Sequence, residues 1–319
     1  MKWLLRSLLV IAVISQSATV WANKCLYVSS YHKGYEWDDG ILAGLVKTLD
    51  GRCDLKKIYL DTKRNPQEEW ARWRSKEAKK MIDQYKPDII IAVDDNASRY
   101  LVMPYLKNAD IPVVFCGINW SMSEYGYPYS NTTGMVEVAP IKQLVKQLRL
   151  IQPDVKKGLF VSGDVLSEHK DYQYYKKIFA ENNIQFSSAF VKNFRQWINV
   201  YKNSQEYDFI FLGNNAGIND WYKPEALRIV EKYTKKISVT TYKWMLPYTA
   251  MAYTKLPEEQ GIWAARAVLS ILGGVEPSQI PVINNRLWDM WLNPNIIKKI
   301  KLKIPYLIYK RAKHYQLDG

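Results

Sequence analysis

Residues 25–40, CLYVSSYHKGYEWDDG, pass from an apolar strand into a helix through a polar, aromatic loop. Leu26, Tyr27 and Val28 are β-prone, and Ser29 and Ser30 end the run. Tyr31 to Trp37 then bring three aromatic rings, His32 and charges of both signs. Asp38 or Asp39 is placed to cap the helix that follows, whose apolar positions are Ile41, Leu42, Leu45 and Leu49. Open α/β sheets bind ligands beyond the carboxyl ends of their strands. Tyr31, His32, Tyr35 and Trp37 are therefore candidate ligand contacts, while the competing reading is that the rings only pack the helix on the sheet.

Outward from this stretch, the chain alternates strand and helix. A helix over 67–85 leads into Asp88 to Val93, a continuous apolar run of the kind a parallel strand shows when both its faces are covered. Asp94-Asp95-Asn96 turns from that strand into a helix. Ile111 to Gly117 repeats the theme and ends at Asn119-Trp120. Residues 121–132 are rich in Ser, Tyr, Pro, Asn and Thr and read as a surface loop or linker. The alternation then resumes, with helices expected over 139–151, 165–181, 195–204, 222–235 and 258–272. The intervening strands end at Asp164, at Asn214-Asn215 and before Tyr242-Lys243-Trp244. This pattern predicts parallel sheets covered by helices on both faces. Two such halves make an α/β protein of two lobes with a cleft. The first lobe is expected over 23–135, completed by about 252–283. The second is expected over 136–251, completed by about 284–319.

The N-terminus carries Lys2 and Arg6, an apolar core over Leu8 to Val13, and Val20-Trp21-Ala22. This is the pattern of a secretory signal peptide over 1–22, cut after Ala22. The apolar core is too short to span a bilayer, which takes about 20 residues. A periplasmic protein of 297 residues is then expected. The formal charge is +14, and removing Lys2 and Arg6 leaves +12. The basic residues are spread over helix faces, apart from the cluster Lys298, Lys299, Lys301, Lys303, Lys310 and Arg311, so the charge reads as surface, suited to anionic headgroups. Cys25 and Cys53 fall at the same end of a βαβ unit. In an oxidising compartment they can pair, but without their Cα separation two free thiols stay equally open. Cys116 lies in an apolar strand and reads as a buried thiol.

In order and spacing, several segments resemble a known family. They are Pro87 to Ala92 with Asn96-Ala97, Ile111 to Phe115, Thr132-Thr133-Gly134, Ala250 to Tyr253, and Gly261, Ala264-Ala265 and Ile271 to Gly274. Over nearly the whole chain beyond residue 22, the sequence resembles exported solute-binding proteins of ABC transporters with the type I periplasmic fold. The subgroup is that related to tryptophan- and tyrosine-binding members. The resemblance implies a small-molecule ligand held between lobes, a membrane ABC permease as partner, a monomer, and no cofactor. The stretch Ser29 to Trp37 is also similar to sensor versions of this domain, which implies an alternative partner, a membrane kinase or cyclase. One departure concerns the ligand. Members of the family place a small, neutral turn after the third strand, where this chain has Asp94-Asp95-Asn96-Ala97. Two carboxylates there oppose an anionic group and favour a cationic or donor-bearing one.

Candidate contacts are thus Tyr31, His32, Tyr35, Trp37, Asp94, Asp95, Asn96, Asn119 and Trp120 from the first lobe. Asp164, Asn214, Asn215, Tyr242 and Trp244 are those from the second. Rings with amides and carboxylates suit a flat or cationic ligand, although each Asp, Asn or Ser can equally be a helix cap. His32, His169 and His314 make no metal-ligand spacing, and no nucleophile elbow or phosphate loop occurs, so neither a metal nor an enzyme is expected. An extracytoplasmic enzyme built from distant loops stays a second alternative. An export signal without a helix-turn-helix argues against nucleic acid.

Overall fold

The structure is a computed structural model that describes residues 23–316; the signal-peptide expectation for 1–22 lies outside the described residues. The first half runs β1 (Asn23–Ser29), α1 (Glu36–Leu49), β2 (Cys53–Tyr59), α2 (Glu68–Tyr85) and β3 (Ile89–Val93). It continues through the short helices α3 (Asp94–Ala97) and α4 (Met103–Tyr105) to β4 (Val113–Asn119) and β5 (Thr132–Glu137). The second half runs α5 (Ile141–Ile151), β6 (Lys157–Gly163), α6 (Leu166–Glu181), β7 (Gln185–Val191), α7 (Phe194–Asn203), β8 (Phe209–Leu212), α8 (Lys223–Tyr233), β9 (Ile237–Thr240) and β10 (Met251–Lys255). The tail adds α9 (Pro257–Leu272), β11 (Ile283–Asn284), β12 (Trp288–Leu292), α10 (Pro294–Lys299), α11 (Tyr306–Arg311) and β13 (Lys313–His314).

These strands form two sheets, ordered β11-β5-β4-β3-β1-β2 and β13-β12-β10-β9-β8-β6-β7. All pairs are parallel except β10 with β12. The chain therefore passes between the sheets three times, after β5, after β10 and after β11. Strand β10 pairs with β9 at Met251 and Ala252 and with β12 through Lys255, so the second sheet runs on beyond residue 251, and β5 stays in the first sheet through Glu137.

Strand β3 shows why the first sheet is covered on both faces. Ile90 and Ala92 enter one core with Phe115 and Leu101, and Ile89, Ile91 and Val93 enter the other with Ile41, Leu45 and Val268. Alternate residues point to opposite faces of a strand, so a run apolar at every position needs two cores. Helix α9 returns from the second sheet to lie on α1. A Cβ on Gly261 would meet the Ile41 carbonyl at 1.9 Å, so this close crossing requires glycine. Cys25 and Cys53 form a disulfide with a Cα separation of 5.9 Å, joining β1 to β2, and Cys116 is a buried free thiol.

Two local expectations change. Asp38 does not cap α1: it is fully buried and accepts hydrogen bonds from Tyr27 Oη and Ser29 Oγ, each at 2.6 Å. Burial, opposed by those bonds, raises its pKa. Residues 121–132 are not a linker between lobes. Tyr125, Tyr127 and Tyr129 bury their rings in the first lobe, Tyr127 stacking on Phe115 with centroids 4.3 Å apart. A composition typical of loops hid these three rings, which a 3-10 turn over Ser123–Tyr125 and a left-handed Gly126 bring onto the same core.

Candidate ligand-binding cleft

Where the two sheets face each other, the carboxyl ends of β1, β2, β3, β4 and β5 meet those of β9 and β10. Between them lie two adjoining cavities of about 250 and 100 Å³ that share Tyr31, Lys63, Asn119 and Ser167. The larger is walled by Asp94, Asp95, Asn96 and Tyr125. The smaller is walled by Tyr35, Trp37, Glu137, Asp171, Asn214, Tyr242, Trp244 and Lys255. Asp94 and Trp120 both take positive φ, 75° and 62°, at the ends of β3 and β4. Non-glycine residues seldom sit there, and such strain collects at ligand sites.

The cavity walls carry five carboxylates, Asp94, Asp95, Glu124, Glu137 and Asp171, and five cations, Lys63, Arg99, Lys170, Lys243 and Lys255. Asp94 is buried and accepts a short hydrogen bond from Tyr31 Oη. Asp95 accepts from Tyr125 Oη at 2.6 Å and Asn119 Nδ2 at 2.7 Å. Asp171 accepts from Trp120 Nε1 at 2.5 Å and Tyr242 Oη at 3.0 Å. Beneath the wall, Glu168 accepts from Ser162 Oγ at 2.5 Å, Tyr242 Oη at 2.6 Å and the Asn214 N–H at 2.9 Å. All of these donors are neutral. Burial, reinforced by Asp95, pushes Asp94 up to about 7 despite the Tyr31 bond. Burial, reinforced by Asp171, does the same for Glu168, also to about 7. A desolvated carboxyl without a cation beside it resists losing its proton.

Of the lining cations, Arg99 and Lys170 pair with Glu124 and Lys243 with Glu36 at the edges, while Lys255 and Lys63 are in different states. Lys255 forms an ion pair with Glu137, both largely buried, and lies over the Trp37 ring at 5.2 Å. Burial alone would lower Lys255, but Glu137 and then Asp171 hold it above its ordinary value. Lys63 donates to Tyr35 Oη and sits over the rings of Tyr35 and Tyr31, at 4.2 and 5.2 Å. Surrounding protein atoms push Lys63 downward, against the pull of Asp94. It nevertheless keeps solvent access through the cleft mouth, so the shift carries little energy. Tyr31 and Tyr35 stack on each other with centroids 4.4 Å apart.

The lobes touch across this space. Trp120 of the first lobe lies flat on Tyr174 of the second, with centroids 4.5 Å apart and a 7° tilt, while its indole N–H reaches Asp171. Lys170 pairs with Glu124 at 2.6 Å at the mouth.

Of the residues expected to contact a ligand, the structure brings Tyr31, Tyr35, Trp37, Asp94, Asp95, Asn96, Asn119, Asn214, Tyr242 and Trp244 to the cavities. Four do not line them. Asp164 faces outward, 2.7 Å from His169 and 3.6 Å from Lys192, and the His169 bond lowers its pKa. Asn215 belongs to the turn behind Asn214, its carbonyl accepting from the Ile218 N–H. His32 lies beside Asp61, at 3.7 Å, and Tyr35. Trp120 has one ring face taken by Tyr174 and its N–H by Asp171, so it joins the lobes and does not line either cavity. Sequence reasoning missed Lys63, Tyr125, Glu137, Glu168, Asp171 and Lys255. Lys63, Glu137 and Lys255 follow or end β2, β5 and β10, so the strand-end rule, applied to every strand, would have reached them. Among the described residues, no group of three or more His, Cys, Asp or Glu could hold a metal ion.

Two α/β lobes, three chain crossings and a polar, ring-lined cleft define a solute-binding protein that closes on a small molecule. The comparisons make the class specific. Residues 35–316 match the family model described as ABC transporter substrate binding protein, and the chain belongs to that family. No curated protein sequence matches it. Similar solved structures include a ligand-free, open substrate-binding protein with adhesive properties from Clostridium difficile, with TM-score 0.72, 13% identity, and 93% of this chain and 100% of that one covered. A conserved domain protein from Vibrio cholerae gives TM-score 0.66 and 16% identity, covering 93% and 100%. An ABC domain in complex with L-Trp from Streptococcus pneumonia gives 0.62 and 15%, covering 91% and 99%. The chain is therefore a solute receptor that delivers its ligand to an ABC transporter.

Proposed function

We propose that the cleft takes a small organic ligand bearing an amine, a quaternary nitrogen or a ring N–H array, with a flat or aromatic part. One observation carries this reading: Asp94, Asp95, Asp171 and Glu168 are held by neutral donors alone, and Lys63 is the lining cation that makes no ion pair with a carboxylate among the described residues. A ligand cation would relieve the buried carboxyls, whereas an anion would meet uncompensated negative charge. Tyr31, Tyr35, Trp37, Tyr242 and Trp244 supply ring faces that attract cations and flat groups. Asn96, Asn119 and Asn214 add directional polar contacts. Coupling to a membrane ABC permease, rather than to a membrane kinase or cyclase, is supported by the family match. The family match also supports export and a role as a binder rather than an enzyme, and a monomer is our proposal.

Mass spectrometry of the small molecules released from the purified, denatured protein tests the reading first. Calorimetry then compares amines, amino acids and simple carboxylates. Tight binding of cationic or donor-rich compounds is the expected result. Binding confined to simple anions would overturn it.

A further inference from the structure

The C-terminal segment carries a surface the cleft does not use. From residue 290 to residue 316 the chain holds seven Lys and Arg and no Asp or Glu. All seven (Lys298, Lys299, Lys301, Lys303, Lys310, Arg311 and Lys313) are exposed. Of these, Lys313 pairs with Asp289, at 2.5 Å. The other six make no ion pair among the described residues. Apolar groups stand among these charges. On α11, Tyr306 is 72% exposed, Leu307 66% and Tyr309 46%, while Ile308 alone turns inward. Leu307 and the exposed Leu150 of α5 open onto one recess of about 390 Å³, lined by Trp288 and Met290 and edged by Arg311 and the Lys313–Asp289 pair.

We propose that Lys298–Lys313 is a membrane-docking surface that lays the second lobe on a bilayer rich in anionic phospholipid. The chemistry matches in two respects. Tyr and Leu side chains enter the headgroup and upper acyl region, where a tyrosine ring is buried while its hydroxyl stays wet. Unpaired cations around them meet the negative surface potential of anionic headgroups, an attraction that needs no fixed partner geometry. A protein partner would require matched carboxylates at set positions. The spread of the six cations over helix, turn and helix suits a laterally mobile lipid surface better. The recess below Leu307 is lined by Trp288 and Met290, with Arg311 as its unpaired rim cation beside the Lys313–Asp289 pair, and can take an apolar chain under an anionic headgroup. Docking here holds the receptor in the plane where its permease lies, and it is independent of which ligand fills the cleft.

Flotation of the purified protein with phosphatidylcholine vesicles, with and without phosphatidylglycerol, tests the proposal. Binding is expected with the anionic vesicles alone and should be lost at high salt. Lys298→Gln, Lys299→Gln, Lys303→Gln and Lys310→Gln should each weaken binding roughly fivefold, the effect of about 1 kcal/mol per basic residue at such a surface. Tyr306→Ser with Leu307→Ser should weaken binding without changing its salt dependence. These side chains are exposed, so thermal unfolding of each variant should match the parent. Failure to float with anionic vesicles overturns the proposal. So does flotation that the four substitutions combined in one protein (Lys298→Gln, Lys299→Gln, Lys303→Gln and Lys310→Gln) leave unchanged, and so does binding only to vesicles containing the permease, which would make the surface a protein-docking site.

Discussion

Replacing Asp94 by Asn keeps the shape of the side chain and an acceptor for Tyr31 Oη while removing the charge. The wild-type carboxyl is 7% exposed and is pushed from 3.8 to about 7 by burial first and Asp95 second. The folded-state value lies above the unfolded one, so ionisation opposes folding. Below about pH 4 both states hold the proton and the cost is absent. From about pH 4 to 7 the unfolded chain alone gives up its proton, and stability falls. Above about pH 7 the cost is complete. Three pKa units correspond to a ceiling of roughly 4 kcal/mol, and relaxation of the surrounding protein and water around the ionised group brings the expected value nearer 2. Asp94→Asn should therefore stabilise the empty protein by roughly 2 kcal/mol at pH 8 and very little at pH 4, read from denaturant midpoints at both. The same substitution should weaken binding of the cationic ligand about 10- to 150-fold, the worth of a hydrogen bond to a charged group. Wild-type binding near pH 7 should release a proton, and its affinity should fall as the pH drops below 7. Calorimetry in two buffers of different ionisation enthalpy reads that release, which Asp94→Asn should abolish. If the variant is no more stable at pH 8, and binds with unchanged affinity, the carboxyl merely closes the turn after β3.

The Glu137–Lys255 pair lies where β5 and β10 leave their sheets, and both groups are largely buried. Lys255→Met should cost about 3–5 kcal/mol in unfolding experiments, and adding Glu137→Leu should recover most of it. Trp120→Phe retains a ring against Tyr174 but loses the 2.5 Å bond to Asp171; faster ligand release in stopped-flow is expected, with little change in association rate. Cys25 and Cys53 close a loop of 28 residues, so Cys25→Ser with Cys53→Ser should lower stability by about 3–4 kcal/mol. Thiol labelling of the denatured, unreduced protein should find Cys116 alone, and three labelled cysteines would disprove the bridge.

Local pattern alone determined the fold class. A strand such as Ile89–Val93, apolar at every position and followed by a polar turn into a helix, has one economical home, a parallel sheet covered twice. Several such units in sequence, resuming after a polar stretch, define an α/β protein of two lobes; its periplasmic binding type was read from the resemblance of whole segments to that family. The strand-end loops were legible for the same reason: Asp94, Asp95 and Asn214 lie where a strand stops, and a strand's end is a local property. Tertiary structure decided which of several charges near one end turns into the cleft. Asp164 stands at the end of β6, yet Glu168 and Asp171, on the inward face of α6, are the carboxyls that reach it. In sequence the run Ser167-Glu168-His169-Lys170-Asp171 looks like a solvated helix face, because the surface it meets belongs to β4 and to the Tyr242 loop, some 50 to 70 positions away. Likewise, the strand-end rule places Lys255 and Glu137 at the cleft, but nothing local shows that either is buried or that they pair. Each is buried only because the chain crosses between lobes at both points and brings the two together, and burial and pairing are properties of the assembled hinge.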